Sequence, residues 1–551
     1  NTYSGQTNIR AGAILRLAGE GSVAASAGLN VDGTFDIAST VVGALVKTLS
    51  GAGQVQLGDR TLVVGGGSTT FAGVVAGTGN LGIRGGTQTL SGNNTFSGEA
   101  YIGPDGRLAL AGAGSVAAAS RVVADGSFDI AATDDGARIR TLAGTGAVAL
   151  GDRILTVTNG AGTDFSGRMS GSGGLTVSGG TQILSGVSDY TGQTRVSAGS
   201  NLGLAGAGSV GGSEVVVDGT LDVAAGDAPA IRTLSGSGSV LLGDKTLALN
   251  GADTRFDGVI AGAGGVTVQD GRQELTAVQN FSGDARVATG ATLALSGAGS
   301  VENAAAVRTD GVFDIAATNA GARIRTLSGA GTVTLGDRDL TVTAGSDRFD
   351  GGIAGNGGLT VEGGRLDLAA ASTYAGVTHV MAGAGLGLVA DGSVANSARV
   401  QVDGLFDLSG DVALRSIRDL DGIGRVALGA STLEVTNGAS TFAGTIDGTG
   451  GLLVSGGTQG LSGNNTYTGH TQITAGATLA LSGNGAIEHS SAVGNDGVLD
   501  IAATSAGARV RSLSGQGRVE LGERMLSLTA ASDRFDGILA GAGGLAVEAG
   551  Q

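Results

Sequence analysis

The residues best placed to do chemistry are carboxylates at a fixed spacing. They are Asp32/Asp36, Asp125/Asp129, Asp218/Asp222, Asp310/Asp314, Asp403/Asp407 and Asp496/Asp500. Each pair sits in the pattern Asp-Gly-x-Phe/Leu-Asp. Two neighbouring carboxylates with pKa values pushed apart are what acid–base cleavage of a polysaccharide requires. Several oxygen ligands close together would equally suit calcium. Six equal copies argue against catalysis, which needs one preorganised site. The expectation is therefore an Asp-Gly turn role for the first Asp and a solvent-facing second Asp. Histidine occurs only as His379, His470 and His489, at different phases of the pattern, and each is expected to face solvent. There is no Gly-x-Ser-x-Gly elbow and no phosphate-loop Gly-Lys-Ser/Thr. The run Asn159-Gly-Ala-Gly-Thr-Asp echoes a calcium-binding nonapeptide once, where that fold needs consecutive copies. No catalytic, cofactor-binding or metal-binding residue is predicted, and the chain is not expected to be an enzyme.

Composition narrows the partners. The formal net charge is −16, with 15% of residues charged, so no basic surface exists to neutralise nucleic-acid phosphates or anionic lipid headgroups. Apolar residues make up 41% of the chain, which excludes disorder. Aromatics are only 3% and Trp is absent, so the core must be built from small aliphatics. There is no Cys and no apolar run of bilayer-spanning length. Asn1 and Gln551 both fall in mid-pattern, as in a fragment of a longer chain.

The elements that position these residues follow from internal repetition. An Asn-Thr-Tyr-Ser-Gly-like segment places an aromatic at Tyr3, Phe96, Tyr190, Phe281, Tyr374 and Tyr467, in steps of 93, 94, 91, 93 and 93. The Asp-Gly-x-Phe/Leu-Asp landmark contributes Phe35, Phe128, Phe313 and Phe406, with Leu221 and Leu499 in the other two copies. A Phe-x-Gly landmark supplies Phe71, Phe165, Phe256, Phe349, Phe442 and Phe535. Only Tyr101 lies outside these three series. The units run approximately 1–93, 94–187, 188–278, 279–371, 372–464 and 465–551 of one continuous domain, 1–551. Apolar and polar residues alternate over four to six positions between Gly-, Asn- and Asp-rich turns, the signature of short half-buried strands. A propeller would show a shorter period. A string of sandwich domains would show linkers and larger central aromatics. The pattern predicts an all-β, parallel β-helix (solenoid) of six tandem units. About 23 residues per turn would make four turns per unit and separate equivalent Asp residues by ~19 Å, too far to share a metal. A basic residue also recurs at Lys47, Arg140, Arg232, Arg325, Arg418 and Arg511. It is expected to form exposed ion pairs with Asp59, Asp152, Asp244 and Asp337.

The stretch Gly450-Gly-Leu-Leu-Val-Ser-Gly-Gly-Thr-Gln-Gly-Leu-Ser-Gly-Asn-Asn-Thr-Tyr-Thr-Gly-His-Thr-Gln-Ile-Thr-Ala-Gly-Ala-Thr-Leu-Ala-Leu resembles the passenger-associated repeat of bacterial autotransporters, and it recurs from Gly79, Gly173, Gly264 and Gly357. The resemblance covers the whole chain. It implies a right-handed β-helix, exported by type V secretion and displayed on the bacterial outer-membrane surface or extracellularly. It also implies a C-terminal outer-membrane β-barrel outside this fragment. The role it implies is a non-catalytic adhesin or stalk supporting adhesion, aggregation or biofilm formation, with partners that are host-cell, surface or like-cell receptors and no cofactor. Two alternatives stay open at this point: a self-assembling fibre or matrix protein, and a polysaccharide-acting enzyme with its residues in one divergent unit.

Overall fold

A computed structural model describes residues 1–410 and 412–550. These residues form 68 short strands, with no helix among the described residues. The chain divides into two compact units, Asn1–Gly283 and Asp284–Gln551.

Each unit is wound from three-strand turns. In the first unit one such turn comprises Gly160–Phe165, Arg168–Gly171 and Leu175–Val177. The next strand, Gly180–Leu184, lies in parallel register on the first, Phe165 opposite Leu184. In the second unit Val312–Thr318, Ala322–Ile324 and Leu327–Ser328 make a turn, and Thr332 begins the next by pairing with Val312. The chain is a parallel β-solenoid of about 27 turns. Alternation along these strands sends every second side chain inward. One inward column runs Leu62, Leu81, Ala100, Val122, Leu142, each stacked on the last and none more than 1% exposed. Burying each such Leu is worth about 1.5–3 kcal/mol. Small aliphatics suffice because the interior is one side chain deep from each face.

The corners are made by glycine. In the recurring Leu-Gly turn Gly58, Gly151, Gly243, Gly336, Gly429 and Gly522 all hold φ between 57° and 62°. A side chain is strained in that left-handed region.

The turn is shorter than the sequence suggests. Leu62 to Leu81 spans 19 residues and Thr7 to Leu29 spans 22, against the expected 23. The 94 residues from Phe71 to Phe165 therefore make between four and five turns, not four. The excess has a geometric result. In the first unit the Phe71 face runs through Leu90 and Leu110, then from Leu108 through Phe128 and Val148 to Met169. Phe165 lies in the strand before Met169, on the preceding face. The Phe165 face in turn leads to Ile260, and Phe256 lies one strand before it. The second unit repeats this: the Phe349 face leads to Ile446, one strand after Phe442. Successive copies of the landmarks within a unit thus step from face to face and do not form one ladder.

Candidate functional site

The carboxylate pairs hold backbone. In all six copies the second Asp accepts from the N–H two residues on: Asp36 from Ala38 (3.0 Å), Asp129 from Ala131 (2.9 Å), Asp222 from Ala224 (3.0 Å), Asp314 from Ala316 (3.0 Å), Asp407 from Ser409 (2.9 Å) and Asp500 from Ala502 (2.9 Å). This is an Asx turn. The first Asp reaches the turn above, where Asp32, Asp125, Asp310 and Asp496 accept from Ala52, Thr145, Ala330 and Gln516 at 3.1–3.3 Å. The second Asp is not simply solvent-facing: Asp129 is 7% exposed and pairs with Arg107, Asp36 pairs with Arg16 (2.7 Å), and Asp407 with Arg365 (2.7 Å).

These contacts fix the response to acid. Partial burial acts to raise the pKa of Asp36, but the Ala38 N–H and the Arg16 guanidinium outweigh it and hold the group below the ordinary carboxylate range. At Asp407 burial is likewise overcome by Ser409 and Arg365. At Asp257 the Thr276 hydroxyl and Arg255 lower it. A depressed folded-state pKa contributes stability that is present above the unfolded value, about 3.9, and lost as pH falls through the folded value. Urea midpoints should therefore be flat from pH 7 to 5 and fall below about pH 4. Asp407→Asn should shorten that acid limb; an unchanged limb would show that Asp407 contributes nothing to it.

The repeated basic residue does not meet the Leu-Gly-Asp aspartates as expected. Asp59, Asp152 and Asp244 pair instead with their own neighbours Arg60, Arg153 and Lys245 at 3.1–3.2 Å. Lys47 lies 3.5 Å from the Ala25 carbonyl and Arg232 lies 3.8 Å from Glu214. Arg140, Arg325, Arg418 and Arg511 are exposed and have no ion pair among the described residues. The local turn favours the adjacent cation, because no long side chain has to be ordered across a face. Of the histidines, His379 contacts Asp403 through Nε2 at 2.9 Å and His489 lies 3.7 Å from Glu488. The calcium-like run is strand Gly160–Phe165, not a loop. Among the described residues no three His, Asp or Glu side chains converge as a metal site would need.

The aromatic series points inward. Phe35, Phe128, Phe313, Phe406, Phe71, Phe165, Phe256, Phe349, Phe442, Phe96, Tyr190, Phe281, Tyr374 and Tyr467 are at most 1% exposed. Tyr3 is 44% exposed and Phe535 half-buried. The glycine of Phe-x-Gly has a steric reason: a Cβ on Gly73, Gly167 or Gly351 would collide first with the carbonyl oxygen of Gly53, Gly146 or Gly331 in the turn before, and then with the ring tip of Phe71, Phe165 or Phe349 at 2.6–2.7 Å. The ring lies back over its own glycine.

Two buried polar networks escaped the sequence reading. Gln88, Gln182, Gln273 and Gln459 are at most 1% exposed. Gln273 donates to the carbonyls of Leu234, Thr254 and Glu274 at 3.1–3.2 Å, so one amide clips three successive turns. The phenols form the second. Tyr190 bonds Thr194 (2.5 Å), which bonds Ser213 (2.7 Å), which donates to the Gly192 carbonyl (2.7 Å). Tyr374–Thr378–Ser397 and Tyr467–Thr471–Ser490 repeat the chain, and Tyr3–Thr7–Ser26 does so despite its exposure. Burial pushes the phenols of Tyr190, Tyr374 and Tyr467 far above the ordinary range, so they stay neutral donors. Where the ring is Phe96 or Phe281, the Thr and Ser positions are Ala100 and Ala119, or Ala285 and Ala304. The hydroxyls come and go together, because a lone buried hydroxyl costs about 1–3 kcal/mol.

Parallel turns, faces stacked with aliphatics and carboxylates committed to backbone define a repetitive β-solenoid of the kind that autotransporter passenger domains adopt. Over 548 aligned residues the chain is 30% identical to "Adhesin BmaC autotransporter" of Brucella suis biovar 1 (strain 1330), a match that covers 86% of this chain. It spans 15% of that protein's length. No family model and no solved structure matches the chain.

Proposed function

We propose that this chain is a non-catalytic segment of a bacterial cell-surface adhesin, a β-solenoid passenger that presents binding surfaces to cells or substrata. The observation that carries the reading is the relationship to an autotransporter adhesin along most of the chain, together with a parallel β-solenoid. The carboxylate series supports it from the other side. All six second aspartates are engaged in Asx turns, and four of the six first aspartates bond the next turn. In this reading the chain lies outside the cell, linked to an outer-membrane barrel elsewhere in its protein, and supports aggregation and biofilm formation through cell or surface receptors. Self-assembly along one stripe of repeated Asp and Arg is disfavoured, because within each unit successive copies occupy different faces.

The test is direct adhesion. Beads coated with the purified chain should bind epithelial monolayers or like bacterial cells several-fold above albumin-coated beads. Binding no greater than that of albumin-coated beads on both targets would overturn the reading.

A further inference from the structure

The repeat itself marks where this chain departs from it. At the middle of the strand that follows the first aromatic landmark, five copies carry Asn8, Arg195, Arg286, His379 and Gln472, and the sixth carries Tyr101. One turn earlier, directly opposite Tyr101 in register, is Gly82, where other copies have Thr176, Thr267, Thr360 and Leu453. The segment that follows reads Gly103-Pro104-Asp105-Gly106 and stays within the strand Glu99–Gly112, where the other copies turn on Ala-Gly or, once, Thr289-Gly290. These departures meet in one place. Gly82, Arg84, Glu99, Tyr101, Pro104 and Asp105 line a half-open groove of about 400 Å³.

Its construction is specific. Missing its side chain, Gly82 leaves a gap in the outward column Val63, Gly82, Tyr101, Val123. A Cβ at Gly82 would be in ordinary van der Waals contact with Val63 Cγ2 at 3.6 Å, so the gap is one side chain deep and Val63 walls it on that side. The Tyr101 side chain is 39% exposed, and the pKa of its phenol is raised by partial burial and the nearby Asp125 carboxylate. On the rim Glu99 is held by Arg121 at 2.6 Å. Arg84 and Asp105 are exposed and have no partner among the described residues. The groove thus offers an apolar floor, an exposed aromatic ring, one unengaged donor fork and one unengaged acceptor.

We infer that this groove is a binding site for a neutral pyranose sugar. The C–H face of a sugar ring packs on an aromatic side chain, and its hydroxyls, each both donor and acceptor, suit a guanidinium beside a carboxylate. The volume is that of a small-ligand pocket. Charge argues against an anionic sugar, since Glu99 and Asp105 share the lining with Arg84, the one cation of the groove, in a chain of net charge −16. The inference goes beyond the adhesive reading and does not depend on it.

Saturation-transfer NMR on the whole chain tests it, with the methyl pyranosides of glucose, galactose, mannose and N-acetylglucosamine as probes. At least one should give ring-proton signals, with Kd on the order of 1 mM. Tyr101→Arg and Gly82→Thr each install the residue another copy carries, so both variants should fold. Each should cut the signal at least about fivefold. No signal from any neutral pyranoside would overturn the inference. So would a signal unchanged in both variants, one seen only with N-acetylneuraminate, or one matched by cyclohexanol. Bead adhesion retained without a sugar signal sinks this site alone, and a sugar signal without adhesion sinks only the adhesive reading.

Discussion

Phe96→Tyr should destabilise the turns around residues 96–124 by about 2–4 kcal/mol, and adding Ala100→Thr with Ala119→Ser should return the chain to within about 1 kcal/mol of its starting stability. Phe96, Ala100 and Ala119 are all at most 1% exposed, so a new phenol there has no water and no partner. Tyr190, Thr194 and Ser213 show what it needs: a hydroxyl chain ending on a backbone carbonyl. The reverse change, Tyr190→Phe alone, should cost only about 1 kcal/mol, since Thr194 and Ser213 still bond each other. Hydrogen exchange is the suitable readout, because a solenoid opens locally and one global unfolding energy would dilute the effect. A triple variant no more stable than Phe96→Tyr would show that the paired residue choices carry no energetic coupling.

Gly258→Ala is expected to be about as damaging as deleting the ring of Phe256, a loss of about 3–5 kcal/mol. The added Cβ would fall 2.5 Å from Phe256 Cζ and also meet the Gly238 carbonyl. Gly199→Ala is the matched control. Its φ of 77° penalises any side chain, yet nothing lies within 4 Å, so it should cost only about 1–2 kcal/mol. Gly258→Ala combined with Phe256→Leu should be somewhat less destabilising than the sum of the single changes, because both act on the ring contact while the closer clash with the Gly238 carbonyl remains. Additive losses would mean that the ring does not press on the glycine.

The two expected results differ in how readable their causes were. Phe-x-Gly is visible as a motif, but only the fold explains why its third residue has no side chain, because the carbonyl of the turn before and the ring itself both occupy the space a Cβ would need. The Tyr/Thr/Ser and Phe/Ala/Ala alternation is fully present in the sequence. It went unread because Thr194 and Ser213 lie 19 residues apart, and nothing marks them as neighbours until the turn length is known. Turn length was the least readable quantity. Gly-rich corners absorb a residue or two without changing the strand pattern, so spacing between landmarks gives the period of the repeat and leaves the circumference of the solenoid open. The groove at Tyr101 was legible in part. Tyr101 stood out as the one aromatic off the repeat, whereas Gly82 acquires meaning only as its partner in register.

A turn of about 20 residues is what carries equivalent side chains onto different faces and gives the chain varied surfaces from one repeated sequence. The chain has no cysteine, so it can be measured by engineered disulfides. Thr156 and Thr176 are register partners on adjacent turns, 20 residues apart. Thr156→Cys with Thr176→Cys should oxidise readily to an intramolecular disulfide. Thr156→Cys with Ser178→Cys should not, because its Cα atoms would be about 8 Å apart, beyond disulfide reach. Efficient closure of the second pair and failure of the first would contradict the winding on which the display of successive copies rests.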